Sequence, residues 1–137
     1  MECTLNTLPI SISEASAVPF YRQLTDQIEE LIHSGQLSAG DPMPSVRALA
    51  KQTLVSLITI RRAYADLAAA GLLVQKQGLG TFVSEQASRV SEARAADEAR
   101  EVLRGAITRA FQLGLSSSEV LEHIRSVIAA TVPKGDS

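Results

Sequence analysis

The stretch SVRALAKQTLVSLITIRRAYADLAAAGLLVQKQGLGTFVS, Ser45 to Ser84, constrains this chain more than any other. Ala48, Leu49 and Leu54 give a short helix and its exit one apolar side, and Ser45 is placed to cap that helix. Thr53 to Val55 make a turn. Ser56 then offers a second N-cap hydroxyl, and Ile60, Ala63, Tyr64, Leu67 and Ala68 follow at helical spacing in a helix that runs to Ala70. Gly71 supplies the left-handed stop on which such helices end. Leu72 to Lys76 and Thr81 to Ser84 suit two short strands, joined through Gln77-Gly78-Leu79-Gly80, where glycine admits positive φ.

A second helix presented on a short turn, with a hairpin beside it, is the layout of a winged helix-turn-helix that reads DNA. The distribution of charge agrees, although the total does not. The formal net charge is −2, which by itself argues against a polyanionic partner. Residues 45–84, however, carry five basic side chains, Arg47, Lys51, Arg61, Arg62 and Lys76, against Asp66 alone. Residues 1–44 carry six acidic ones against Arg22, so the positive charge lies on the stretch that would face phosphate. The bland alternative is a solvated face.

Six segments make this specific. They are Pro-Phe-Tyr-Arg-Gln-Leu (19–24), Ser-Gly-Gln-Leu-Ser-Ala-Gly-Asp (34–41), Met-Pro-Ser-Val-Arg-Ala-Leu-Ala (43–50), Arg-Ala-Tyr-Ala-Asp-Leu (62–67), Gly-Leu-Leu (71–73) and Gly-Leu-Gly-Thr-Phe-Val (78–83). In this order and spacing they make Val18 to Ser84 resemble the GntR family of bacterial transcription regulators. The resemblance implies DNA contacts from Ser45 and Arg47 on the positioning helix, from Ser56, Thr59 and Arg61 on the recognition helix, and from Gly78 and Gly80 in the wing. A guanidinium at position 47 can hold a phosphate or take guanine O6 and N7 together. The hydroxyls of Ser56 and Thr59 sit at a helix N-terminus, which favours phosphate. Lys51 and Lys76 add diffuse attraction. Arg62 either joins them or pairs with Asp66 one turn on.

The chain departs from its relatives at three places. Leu54 occupies a turn position where many of them have glycine. Leu79 stands between the wing glycines, where a basic residue is common. Leu57 and Ile58 replace a basic residue early in the recognition helix. The lost charge implies modest affinity with a shallower dependence on salt. Leu57 and Ile58 suit either a thymine methyl or the core, and spacing does not separate the two. Tyr64 and Phe82 are expected to be structural, Tyr64 filling core against the helix of residues 19–34 and Phe82 pinning the wing.

Upstream, Leu8, Ile10 and Ile12 alternate with polar residues or proline and predict a short strand near residues 8–12. Pro19 suits a first helical turn, and Phe20, Leu24, Ile28, Leu31 and Ile32 form an apolar stripe ended by Gly35. Leu37 and Met43 anchor the turn-rich connector that follows. Downstream, Glu85 to Leu113 predict one long helix ending at Gly114. Ser116 to Glu119 form a capping box that opens another, closed by Pro133.

The expected fold is mainly α with a small β-wing. Residues 1–84 form a winged helix-turn-helix domain with an N-terminal tail over 1–18, and residues 85–137 form a two-helix domain. Two helices cannot cover both apolar faces, so a second copy of the chain is the natural cover, through Leu103, Ile107, Ala110, Phe111, Leu121, Ile124, Val127 and Ile128. So short a helical appendix resembles the YtrA-type subgroup. That resemblance implies a homodimer that binds an inverted repeat in an operator, most simply as a repressor, with a transport operon as its target. A small-molecule effector at the dimer interface stays open, although no polar cluster marks a pocket.

Several functions find no residues to perform them. Cys3 is the only cysteine, and His33 and His123 are isolated from each other, each expected at a surface or a helix end, so no metal is expected. No nucleophile stands beside a base and no cofactor fingerprint appears, which points away from catalysis. No apolar run reaches the length of a membrane span and no signal segment precedes the domain, so a cytoplasmic protein is expected. The rival reading is a winged helix that mates with another protein and does not read DNA.

Overall fold

The structure is a computed structural model and describes residues 7–131. In order, its elements are α1 (Phe20–Ser34), α2 (Val46–Thr53), α3 (Leu57–Ala69), β1 (Leu73–Lys76), β2 (Gly80–Val83), α4 (Ala87–Gln112) and α5 (Ser117–Thr131). They group into two compact units that divide between Arg94 and Ala95, within α4.

The first unit is built on α1 and α3. Leu24, Ile28, Leu31 and Ile32 of α1 meet Ile60, Ala63, Tyr64 and Leu67 of α3 in one aliphatic core, which Leu49, Val55, Leu72 and Val83 complete. Gly35 ends α1 at φ 88, and the chain folds back so that the Leu37 N–H donates to the Leu31 carbonyl at 3.0 Å. Ser45 Oγ accepts from the Ala48 N–H at 3.0 Å and starts α2; Ser56 Oγ accepts from the Thr59 N–H at 3.2 Å and starts α3. Between them Leu54 holds φ 60, the left-handed conformation usually left to glycine. Its side chain is 90% exposed, so no packing compensates.

The wing is an antiparallel pair, with Leu73 opposite Val83 and Lys76 opposite Gly80. Its tip turns on Gly78 at φ 78, where the Leu79 N–H reaches the Lys76 carbonyl at 2.8 Å. The connector before α2 adds a third pairing. The Val83 N–H donates to the Asp41 carbonyl at 2.8 Å and the Met43 N–H to the Thr81 carbonyl at 2.8 Å, which places Pro42 opposite Phe82. Proline fits there because the residues on either side of it make the hydrogen bonds.

The strand expected near residues 8–12 does not form. Leu8 is buried and Ile10 and Ile12 lie against the core, so the alternation is real. The backbone, however, is satisfied by glutamine side chains of α1. Gln27 both accepts from the Ser11 N–H (3.0 Å) and donates to its carbonyl (2.7 Å), and Gln23 does the same with Ser13 at 2.8 and 3.0 Å. An amide side chain presents the donor and acceptor that a neighbouring strand would have supplied.

Within the same unit, the start of α4 is tied to α1. Arg94 Nε and Nη2 reach the Glu29 carboxylate at 2.7 and 3.2 Å, and the buried Ser91 hydroxyl lies 3.4 Å from His33 Nδ1. His33, expected at a surface or helix end, is exposed in the last turn of α1.

In the second unit, α4 closes at Gly114 (φ 103) and the chain enters α5 through the expected capping box. The Ser116 N–H donates to Glu119 Oε1 at 2.8 Å, while Ser116 Oγ accepts from the Glu119 N–H at 3.2 Å. Val120 is buried, but Leu103, Phe111, Leu121, Val127 and Ile128 are about half exposed. Between the two helices runs an apolar groove of about 570 Å³. The proline expected to close α5 lies outside the described residues.

Candidate nucleic-acid interface

The interface begins with what the core leaves over. On α2 only Leu49 is buried; Arg47 and Lys51 flank it two residues either way and so point to the opposite side, into solvent. On α3 the inward set is Ile60, Ala63, Tyr64 and Leu67. The outward set that this leaves is Ile58, Arg61, Arg62, Ala65, Asp66 and Ala69, all exposed. Among the described residues Arg47, Lys51 and Arg61 form no ion pair or hydrogen bond, so their charge is available to a partner.

Arg62 and Lys76 are placed differently. The Arg62 guanidinium lies 3.6 Å from the centre of the Tyr21 ring and 4.0 Å from the Asp66 carboxylate, so it is engaged with α1 and with its own helix. The Lys76 ammonium sits 5.0 Å from the Phe82 ring, within the wing. Tyr21 has no special spacing in the sequence, and only the packing of α1 shows its part.

Besides the common core, one buried hydrogen bond ties α3 to the entrance of α2. Tyr64, 1% exposed on α3, donates from its hydroxyl to the Pro44 carbonyl at 2.7 Å. Pro44 immediately precedes Ser45, the cap of α2, so the recognition helix holds the entrance of the positioning helix. Burial pushes the Tyr64 hydroxyl above the ordinary phenol range, which keeps it a neutral donor. At the start of α3, Ser56 Oγ also donates to Thr59 Oγ1 at 2.9 Å, so these hydroxyls are already ordered. The wing tip carries no charge: Leu79 stands 73% exposed between Gly78 and Gly80.

Known proteins give this geometry its context. The profile of bacterial regulatory proteins of the gntR family matches residues 20–83. The chain is 39% identical over 112 residues to the uncharacterized HTH-type transcriptional regulator YhcF of Bacillus subtilis, covering 81% of this chain and 91% of that one. The chain belongs to the GntR family. It is also 31% identical over 120 residues to the HTH-type transcriptional repressor YtrA of Bacillus subtilis, covering 88% of this chain and 92% of that protein. A solved transcriptional regulator from Oenococcus oeni superposes with a TM-score of 0.74 at 26% identity, over 85% of this chain and 99% of the other.

By its similarity to these relatives the chain fits the YtrA-type subgroup, and it is a DNA-binding transcriptional regulator, not an enzyme. The structure puts Ser45, Arg47 and Lys51 on α2 or its cap, Ser56, Thr59 and Arg61 on α3 or its cap, and Gly78 and Gly80 at the wing tip. It separates Leu57 from Ile58, which sequence spacing could not do. Leu57 is partly buried, while Ile58 is 79% exposed on the outward face. Six of the eight residues expected to pair two protomers line the apolar groove of the second unit; Phe111 and Leu121 lie outside it. No group of three or more His, Cys, Asp or Glu side chains among the described residues is arranged to hold a metal ion.

Proposed function

We propose that the protein is a homodimeric repressor that blocks a promoter by occupying an inverted repeat, each protomer laying α3 in one major-groove half-site. The observation that carries this reading is the set of exposed, uncommitted cations, Arg47, Lys51 and Arg61, on the faces of α2 and α3 that the core does not use. Arg47 takes a guanine edge or a phosphate, and Arg61 does so one element further along. Ser45, Ser56 and Thr59 meet phosphates, and Gly78 and Gly80 let the wing backbone approach the minor groove. Arg62 and Lys76, leaning on aromatic rings, act as background charge.

In this reading residues 1–84 hold the DNA and residues 85–137 pair the protomers. Pairing is supported by the half-exposed Leu103, Val127 and Ile128, which two helices alone leave in water. The repressor assignment is supported by the similar Bacillus subtilis YtrA, itself named a repressor. A transport operon is the target that the subgroup resemblance suggests. A cytoplasmic location suits this role, and among the described residues no helix is long and apolar enough to cross a membrane.

The test is selection of bound sequences from a random duplex pool at two salt concentrations. One inverted repeat is expected, with Arg47→Ala lowering affinity for it by about 1–3 kcal/mol. Recovery of no motif at either salt would sink the proposal.

A further inference from the structure

We infer that Ile58 reads thymine methyl groups in the major groove, so that part of the sequence discrimination comes from an apolar contact in place of a charged one. The inference rests on the DNA-reading role proposed above and names what one position of that surface recognises.

Ile58 lies in the first turn of α3, two residues before the buried Ile60, and therefore on the side of the helix opposite the core. It is 79% exposed, whereas the neighbouring Leu57 is partly buried, so this side chain contributes nothing to packing that the chain itself shows. The residues that share its face are Arg61 and Arg62, three and four residues on, the latter drawn toward Tyr21, and the exposed Ala65, whose small side chain allows a groove wall to come close. The polar groups nearest in sequence, Ser56 and Thr59, are bonded to each other in the helix cap. An apolar, β-branched side chain is what the first turn offers to a base edge.

In the major groove the apolar group on a base edge is the C5 methyl of thymine. A branched side chain suits it. In a helix isoleucine is held almost entirely in one χ1 rotamer, so little freedom is lost when it is pressed against a methyl. The contact would also be insensitive to salt, in contrast to the phosphate contacts of Arg47 and Lys51. Discrimination would thus persist at ionic strengths where overall affinity falls.

The experiment uses the full chain and the operator recovered by selection. Each thymine is replaced in turn by deoxyuridine, which deletes only the methyl, and binding of wild type and Ile58→Ala is followed by fluorescence anisotropy. Wild type should lose about fourfold in affinity at one thymine per half-site, and about fifteenfold when both half-sites are changed, as expected for one buried methyl-sized group each. Ile58→Ala, at an exposed position that leaves the fold intact, should bind the thymine operator more weakly and no longer distinguish thymine from uracil there. Indifference of the wild type to every replacement, or undiminished discrimination in Ile58→Ala, would overturn the inference while leaving DNA reading in place. Failure of selection to yield any motif is a separate result, which removes the DNA-reading role and this inference together.

Discussion

Replacing Tyr64 with phenylalanine should weaken the protein out of proportion to the single atom removed. The ring stays and continues to fill the core, so no cavity forms. What disappears is the donor to the Pro44 carbonyl, a 2.7 Å hydrogen bond between two buried residues. Leaving a buried acceptor unpaired costs about 1–3 kcal/mol. At a middle value of roughly 2 kcal/mol the folded-to-unfolded ratio falls about thirtyfold, and a urea midpoint moves by about 1 M for a slope of ~2 kcal/mol/M. The assay is urea unfolding followed by circular dichroism at one fixed protein concentration, because the proposed protomer pairing would make apparent stability depend on concentration. A second arm varies pH. Burial raises the folded-state pKa of Tyr64 above that of the unfolded chain, so above ~10 the folded state holds the extra proton. The stability this contributes is fully present below ~10 and is lost as pH rises beyond it. Phenylalanine has no proton to lose, so the difference between the two proteins should shrink on the alkaline side. A variant within about 0.3 kcal/mol of wild type at neutral pH, or a constant difference up to high pH, would refute the assignment of this bond as a buried tie.

Three further outcomes are expected. Ile128→Asp should convert the proposed dimer to a monomer in sedimentation velocity, because a carboxylate would be buried at the proposed pairing face; a dimer of undiminished affinity would place that face elsewhere. Glu119→Gln should flatten the acid limb of stability. The Ser116 N–H and then its hydroxyl hold the Glu119 carboxylate below its ordinary range, so its contribution is present above ~4.3 and lost as pH falls. Unfolding midpoints at neutral and acid pH check this. Gly35→Ala should destabilise by about 1 kcal/mol through backbone strain alone, since φ is 88 and no atom lies within 4 Å of an added Cβ; calorimetry at matched concentration would detect it.

How far the sequence reached depended on how local each signal is. The apolar periods of residues 20–34 and 57–69, the caps at Ser45, Ser56 and Ser116, and the glycines at 35, 71 and 114 act within a few residues, and each appears in the structure at the expected place. The third pairing of the wing was hidden because Pro42 reads as a breaker, and only its partner strand shows that its missing N–H costs nothing there. The alternation of Leu8, Ile10 and Ile12 marked extended chain correctly but could not say what would bond its backbone. Gln23 and Gln27 supplied the answer from another element.

At the interface the chain by itself determined which cations exist and which helices carry them, because helical period and order along the chain are properties of sequence. It did not determine which of them are free. Arg62 is drawn onto Tyr21, while Arg47 and Arg61 are left exposed, and Ile58 is turned outward as Leu57 turns toward the core. The same holds for Leu54, which keeps φ 60 against its own preference. Two helices pinned at a fixed angle by the Tyr64–Pro44 bond and the common core dictate the turn between them, and one residue's conformational cost of roughly 1 kcal/mol is too small to overrule that packing.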